Sequence, residues 1–214
     1  NDSFNLDRDG TAAALFDTFD NSETETFTQE LNLNVERDSM CLVFGGFYMD
    51  DETSRHTHFD NPQLILGFPA PSQFDFKHLK MNTESKAYFA DGTFDLSDTT
   101  RLSLGLRKTT DEFTSKQDNF ISVLVPTPVI AAQTCLREVV TEYSSTTSRA
   151  VLQHDLSEGS NVYASVSEGY KAGGYATYEC AEAYNPEEVT SLEFGFKGSI
   201  SESTSLNASI FRYD

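Results

Sequence analysis

The chain has 214 residues, a formal charge of -19 and a hydrophobic content of only 38%. So acidic a chain lacks the Lys/Arg surplus that phosphate neutralisation needs, which excludes nucleic acid as a partner and argues against electrostatic docking on anionic lipid. No run approaches the ~20 apolar residues of a membrane helix, so a helical span is excluded while a barrel strand is not.

In chain order, alternation with period two marks strands near 26–35, 40–50, 85–96, 101–115, 147–156, 161–173, 188–199 and 204–214. Along Arg101–Arg107, Leu102, Leu104 and Leu106 share one face, and Arg101, Ser103, Gly105 and Arg107 share the other. Leu192, Phe194 and Phe196 likewise oppose Glu193, Gly195 and Lys197, and Val162, Ala164 and Val166 oppose Tyr163, Ser165 and Ser167. The apolar faces of 101–107 and 191–197 carry no charge. A Lys or Arg facing lipid at the bilayer midplane costs roughly 2–4 kcal/mol. Glu168 and Arg212 do fall on the apolar parity, but late in their strands, where that cost fades toward the interface.

Short polar turns are expected at Glu36–Ser39, Ser97–Thr100, Ser157–Ser160 and Ser201–Ser203, and long loops at 51–84, 116–146 and 174–187. Short turns at one rim and long loops at the other characterise outer-membrane barrels. A soluble β-sandwich shows the same alternation with its apolar faces turned inward. Residues 62–78, rich in Pro and Phe, read as a structured loop. The chain starts at Asn1 without Met and stops at Asp214 on an apparent strand, so both ends read as cut.

Several stretches resemble the barrel of TonB-dependent receptors, in the family's order. They are Phe27–Leu33 followed by Val43–Tyr48, Ala87–Ala90 with Leu102–Arg107, and Tyr184–Glu187 with Ser191–Lys197, then Leu206–Phe211. Val162–Tyr175, reading VYASVSEGYKAGGY, is the most specific of them. The resemblance covers roughly residues 25–214. It implies an all-β, antiparallel up-and-down meander: an incomplete transmembrane β-barrel of about eight strands, where the family's barrel has about 22. It also implies a bacterial outer-membrane location and TonB-dependent uptake of a scarce nutrient such as an iron–siderophore complex. The implied partners are TonB, reached through a plug domain with no counterpart in residues 1–214, the ligand, and outer-membrane lipid. A passive porin-like channel and a secreted soluble β-sandwich adhesion domain stay open as alternatives.

No catalytic constellation emerges: there is no Gly-x-Ser-x-Gly turn and no phosphate-cradling glycine loop. Enzyme activity, a cofactor and a metal are not expected. His56 and His58 beside Asp50, Asp51 and Glu52 lack further ligands at fixed spacing and read as a solvated loop. Asn5–Gly10 mimics the start of a calcium loop, but the twelfth position is Phe16, where a bidentate Glu is needed. Arg101, Arg107, Tyr163, Glu193 and Lys197 are expected to face the barrel interior, the charges chiefly as cross-strand ladders worth ~0.2–1 kcal/mol a pair. Cys135 and Cys180, in two long loops two strands apart at one rim, are the candidate disulfide, and Cys41, beside a short turn at the other rim, is expected to stay free.

Overall fold

The structure is a computed structural model that describes residues 2–7, 17–60, 72–123, 130–175, 180, 182–201 and 203–214. Eleven strands run in chain order: β1 (Asp2–Asp7), β2 (Asp17–Arg37), β3 (Met40–Asp60), β4 (Ser72–Ser97), β5 (Thr100–Val123), β6 (Ile130–Ser157), β7 (Ser160–Lys171), β8 (Gly174–Tyr175), β9 (Ala183–Tyr184), β10 (Glu187–Ser201) and β11 (Thr204–Tyr213). Nine form one sheet in the order β1-β2-β3-β4-β5-β6-β7-β10-β11, and β8 pairs with β9 in a separate two-stranded ladder. Every pairing is antiparallel, so the sheet is an up-and-down meander. The segment 101–107 pairs with β4 on one side and β6 on the other.

The tight turns lie where the sequence places them, between Arg37 and Met40, Ser97 and Thr100, and Ser157 and Ser160. Gly159, with φ of 78°, takes the left-handed conformation that the third turn requires. At the opposite rim the sequence reading needs correction. Most of 51–84 and 116–146 is not loop: β3, β4, β5 and β6 continue through these segments and pair over 21 to 28 residues. Within 62–78, residues 72–78 belong to β4, and 62–71 lie outside the described residues. The physical reason is that these extensions mix polar and apolar residues on both faces. Their pairing shows in the strand register, and no sustained hydrophobic period announces it. His56 and His58 therefore lie on β3 rather than in a loop, and Asp2–Asp7 is a strand, while residues 8–16 are outside the described set.

The sheet has nine strands against the eight expected, because β1 joins at the edge of β2. A 25 Å apolar band is crossed by about 9–11 tilted residues. β7, β10 and β11, with 12, 15 and 10 residues, suit such a crossing. β6, with 28, rises far beyond it.

Burial is inverted relative to a soluble globule. Among the described residues the buried apolar side chains are Ala87 and Cys135, whereas Thr18, Asp20, Thr57, Asp111, Ser115, Gln117 and Asn119 are buried polar ones. Leu104, Leu106, Leu192 and Phe194 are exposed at 44%, 56%, 60% and 57%. Leu102 and Phe196 are half-buried on the same face. The register carries this apolar face across the sheet, since Leu102 stands opposite Phe94 and Leu152, and Phe194 opposite Ala164 and Ile210. All the described strands except β8 and β9 belong to one sheet, whereas a soluble sandwich needs two sheets whose apolar faces meet. The opposite face carries Arg101, Arg107, Glu193, Lys197 and the buried Asp111, Ser115, Gln117 and Asn119 of β5. The two carboxylate and guanidinium exceptions are handled locally: Glu168 accepts from the Ser148 amide and hydroxyl at 2.8 Å each, and Arg212 pairs with Asp214 at 2.7 Å.

Adjacent residues on β7 provide the test of facing. Val166→Lys, on the apolar face, is expected to destabilise the folded barrel by about 2–4 kcal/mol. Ser165→Lys, one residue away and opposite Glu193 in register, is expected to be near neutral. Equal effects on the urea midpoint of the protein refolded in lipid would refute the assignment of faces.

Candidate functional site on the polar face

The odd-numbered residues of β5 and their register partners form the polar face. Arg101 bridges to Asp155 of β6 by two hydrogen bonds of 2.9 and 2.8 Å. Arg149 of β6 reaches past β5 to Asp91 of β4, at 2.9 Å from Nε and 2.7 Å from the terminal nitrogen. That reach depends on Gly105 between them: a Cβ there would lie 2.6 Å from the Asp91 carboxylate and 2.8 Å from Arg149 Cγ. These pairs are partly exposed, so each contributes under about 1 kcal/mol and serves more to fix side-chain direction.

Tyr163, Glu193 and Lys197 come together. The Tyr163 hydroxyl donates to Glu193 at 2.5 Å, and the Lys197 ammonium sits 5.1 Å from the ring centroid. The ring lies flat over Gly195, where a Cβ would approach it to 2.5 Å. Arg107 stands apart from this trio and from Arg101. Its guanidinium lies 5.6 Å from the centroids of both Phe47 and Phe89, and its Nε donates to the Thr109 hydroxyl at 3.2 Å. Sequence reasoning singled out Arg101, Arg107, Tyr163, Glu193 and Lys197. It missed Asp91, Arg149 and Asp155, although their odd or even position in the strands carried the signal.

A second group lies higher, where β7 has ended and β6 continues. In the connection between Lys171 and Glu187, the described residues include the β8–β9 ladder and Cys180, which meet the polar face of β6 as a strap. Three contacts pin it. Cys135 and Cys180 are disulfide-bonded, with Cα atoms 5.5 Å apart. The Thr141 hydroxyl bonds the Tyr175 hydroxyl, and the Tyr143 hydroxyl donates to the Tyr184 carbonyl at 3.0 Å. Cys135 belongs to β6 and not to a loop, which corrects the expected setting of the pair. Cys41 is free and exposed.

Near the top of β2 and β3, Arg55 Nε donates to both Asp20 oxygens at 3.0 Å, and the Thr57 hydroxyl donates to one of them at 3.3 Å. Asp20 lies 17 residues above the turn at Arg37, beyond any membrane crossing. The Arg55 hydrogen bond holds its carboxyl below the ordinary value of 3.8, against the opposing effect of burial. His56 and His58 share the other face of β3, and among the described residues no group of three or more His, Cys, Asp or Glu is placed to hold a metal.

A single antiparallel layer, apolar on one face and charged on the other, with tight turns at one rim and tall strands at the other, has the build of a membrane β-barrel wall. The chain belongs to the family described as TonB dependent receptor-like, beta-barrel, which it matches over residues 1–214. Its fold is similar to the ferric yersiniabactin uptake receptor FyuA from Yersinia pestis, with a TM-score of 0.72 and 17% identity over 93% of this chain and 30% of that one. It is also similar to the siderophore receptor PiuA from Acinetobacter baumannii, with a TM-score of 0.59 and 16% identity over 91% of this chain and 32% of that one. The chain thus spans about a third of the length of these structures. No curated protein matches it by sequence.

Two measurements check this region. In unreduced protein a maleimide should label Cys41 alone, with all three thiols reacting after reduction, and labelling of Cys135 or Cys180 without reductant would refute the bond. Because the folded Asp20 pKa is depressed, the contribution of the Asp20–Arg55 contact is fully present above about pH 4 and is lost as pH falls through the lower, folded value. Amide exchange around Thr57 should accelerate in that acid range, and Asp20→Asn should remove the pH dependence.

Proposed function

We propose that the chain forms part of the wall of a bacterial outer-membrane receptor that takes up a scarce nutrient, such as an iron–siderophore complex, with energy delivered by TonB. On this reading a plug domain outside the barrel wall receives TonB. Arg101, Arg107, Tyr163, Glu193 and Lys197 face the lumen, the apolar face meets outer-membrane lipid, and the wall itself performs no catalysis. The observation that carries the reading is the strap fixed to the polar face by the Cys135–Cys180 bond, on the same side of the sheet as the charged residues: a covalently held segment there suits a wall that grips and releases cargo. The family membership and the siderophore-receptor neighbours support the same assignment.

The test is uptake of radioiron–siderophore by iron-starved cells carrying or lacking the gene. Uptake is expected to saturate, to require the gene, and to disappear when TonB is deleted. Unsaturable entry that persists without TonB would favour the passive porin-like channel and refute the proposal.

A further inference from the structure

The difference in height between β6 and β7 leaves a main-chain edge exposed. β6 pairs with β5 from His154 back to Ile130, but with β7 only from Arg149 to Ser157. Above Arg149 its other edge has no strand beside it among the described residues, and no main-chain hydrogen bond outside the strand ladders reaches it. The described strap residues Tyr175, Cys180 and Tyr184 meet β6 on the polar face instead, at Thr141, Cys135 and Tyr143. The direction of the free groups follows from Ser148, whose amide points toward β7 and is met there by the Glu168 carboxylate at 2.8 Å. Main-chain groups alternate sides along a strand, so the amides and carbonyls of Leu136, Glu138, Val140, Glu142, Ser144 and Thr146 point to the open edge.

We propose that this edge of β6, from Leu136 to Thr146, is a strand-addition site for an extended basic peptide. The main chain supplies the affinity, and the side chains that flank it supply the choice of partner. On the outer face the sequence alternates apolar and acidic, Leu136, Glu138, Val140, Glu142, with Leu136 62% and Val140 59% exposed. Glu142 stands directly opposite Glu112 of β5, a like-charge pair that a neighbouring cation relieves. Glu138 has only a loose, solvent-exposed contact of 4.0 Å with Lys116. An added strand that alternates apolar side chains with Lys or Arg therefore matches β6 in both period and charge. A second copy of the chain is a poor occupant, because it would bring the same glutamates and a net charge of -19 to the interface.

The experiment uses the full chain in detergent and follows binding of a short fluorescent peptide alternating valine and lysine. Its controls are the same peptide N-methylated at alternate amides and a valine–glutamate analogue. Val140→Pro removes an amide that faces the open edge and bonds nothing in β5. It is expected to weaken binding about tenfold, as is N-methylation. The double variant Glu138→Gln/Glu142→Gln should weaken binding and flatten its salt dependence. Retention of the Cys135–Cys180 bond and of heat-modifiable migration shows that Val140→Pro folds. If that variant fails to fold, the N-methylated peptide on the unaltered protein decides. Equal binding of the N-methylated or the glutamate peptide, no binding at all, or self-association of the chain through this edge would overturn the proposal.

Discussion

Main-chain hydrogen bonding next to lipid is the constraint on which the rest of the structure depends. An unpaired amide or carbonyl in hydrocarbon costs several kcal/mol, so every strand that crosses the apolar band must be paired on both sides through the crossing. Nearest-neighbour antiparallel pairing with tight turns meets that demand with the least loop-closure entropy. Pairing then fixes the side-chain period at two, and the period assigns each residue to the apolar or to the polar face. The charged cluster follows from this. Once Leu192, Phe194 and Phe196 face outward, Glu193, Gly195 and Lys197 must share the inner face, and the register brings Tyr163 beside Gly195.

Glycine has a specific task within that geometry. Where side chains crowd one face of a sheet, a large one can lie flat only if its neighbour has none. Gly195 admits the Tyr163 ring, and Gly105 lets Arg149 cross a whole strand to Asp91. In both places a methyl group would approach to under 3 Å and force the larger side chain upright into the interior. The glycines thereby set how far the polar side chains project inward, and with it the space left on that side of the wall.

How much was legible in the sequence depended on whether one face had to be apolar. Leu102, Leu104 and Leu106 identified β5 and its outward face, because a lipid-facing row tolerates no charge. Beyond the expected end at 115, Lys116, Gln117, Asp118 and Asn119 carry no such pattern, and the strand persists through its pairing with Lys80 to Phe76 and Glu138 to Cys135. The polar cluster was readable where its members are close in register, as with Tyr163, Glu193 and Lys197. It was unreadable where a contact spans three strands, as with Arg149 and Asp91. The hydroxyl contacts of Thr141 and Tyr143 with the strap depend on a fold-back that no local pattern encodes.

The step between β6 and β7 ties the remaining features together. Below it, β6 and β7 are paired from Arg149 to Ser157. At the step, Glu168 supplies a carboxylate to the first amide of β6 that β7 leaves unpaired, which allows the ladder to stop without an orphaned donor. Above it, the chain leaving Lys171 has no strand to continue along, and it turns onto the inner face of β6. The disulfide there closes a sequence separation of 45 residues. In the loop-entropy view a closure of that size is worth about 3–4 kcal/mol, enough to hold a strap whose other described contacts are individual hydrogen bonds of about 1 kcal/mol. One discontinuity in strand length therefore yields two features of different character: a polar face of β6 that meets a covalently fixed strap, and an edge of β6 that no strand joins among the described residues.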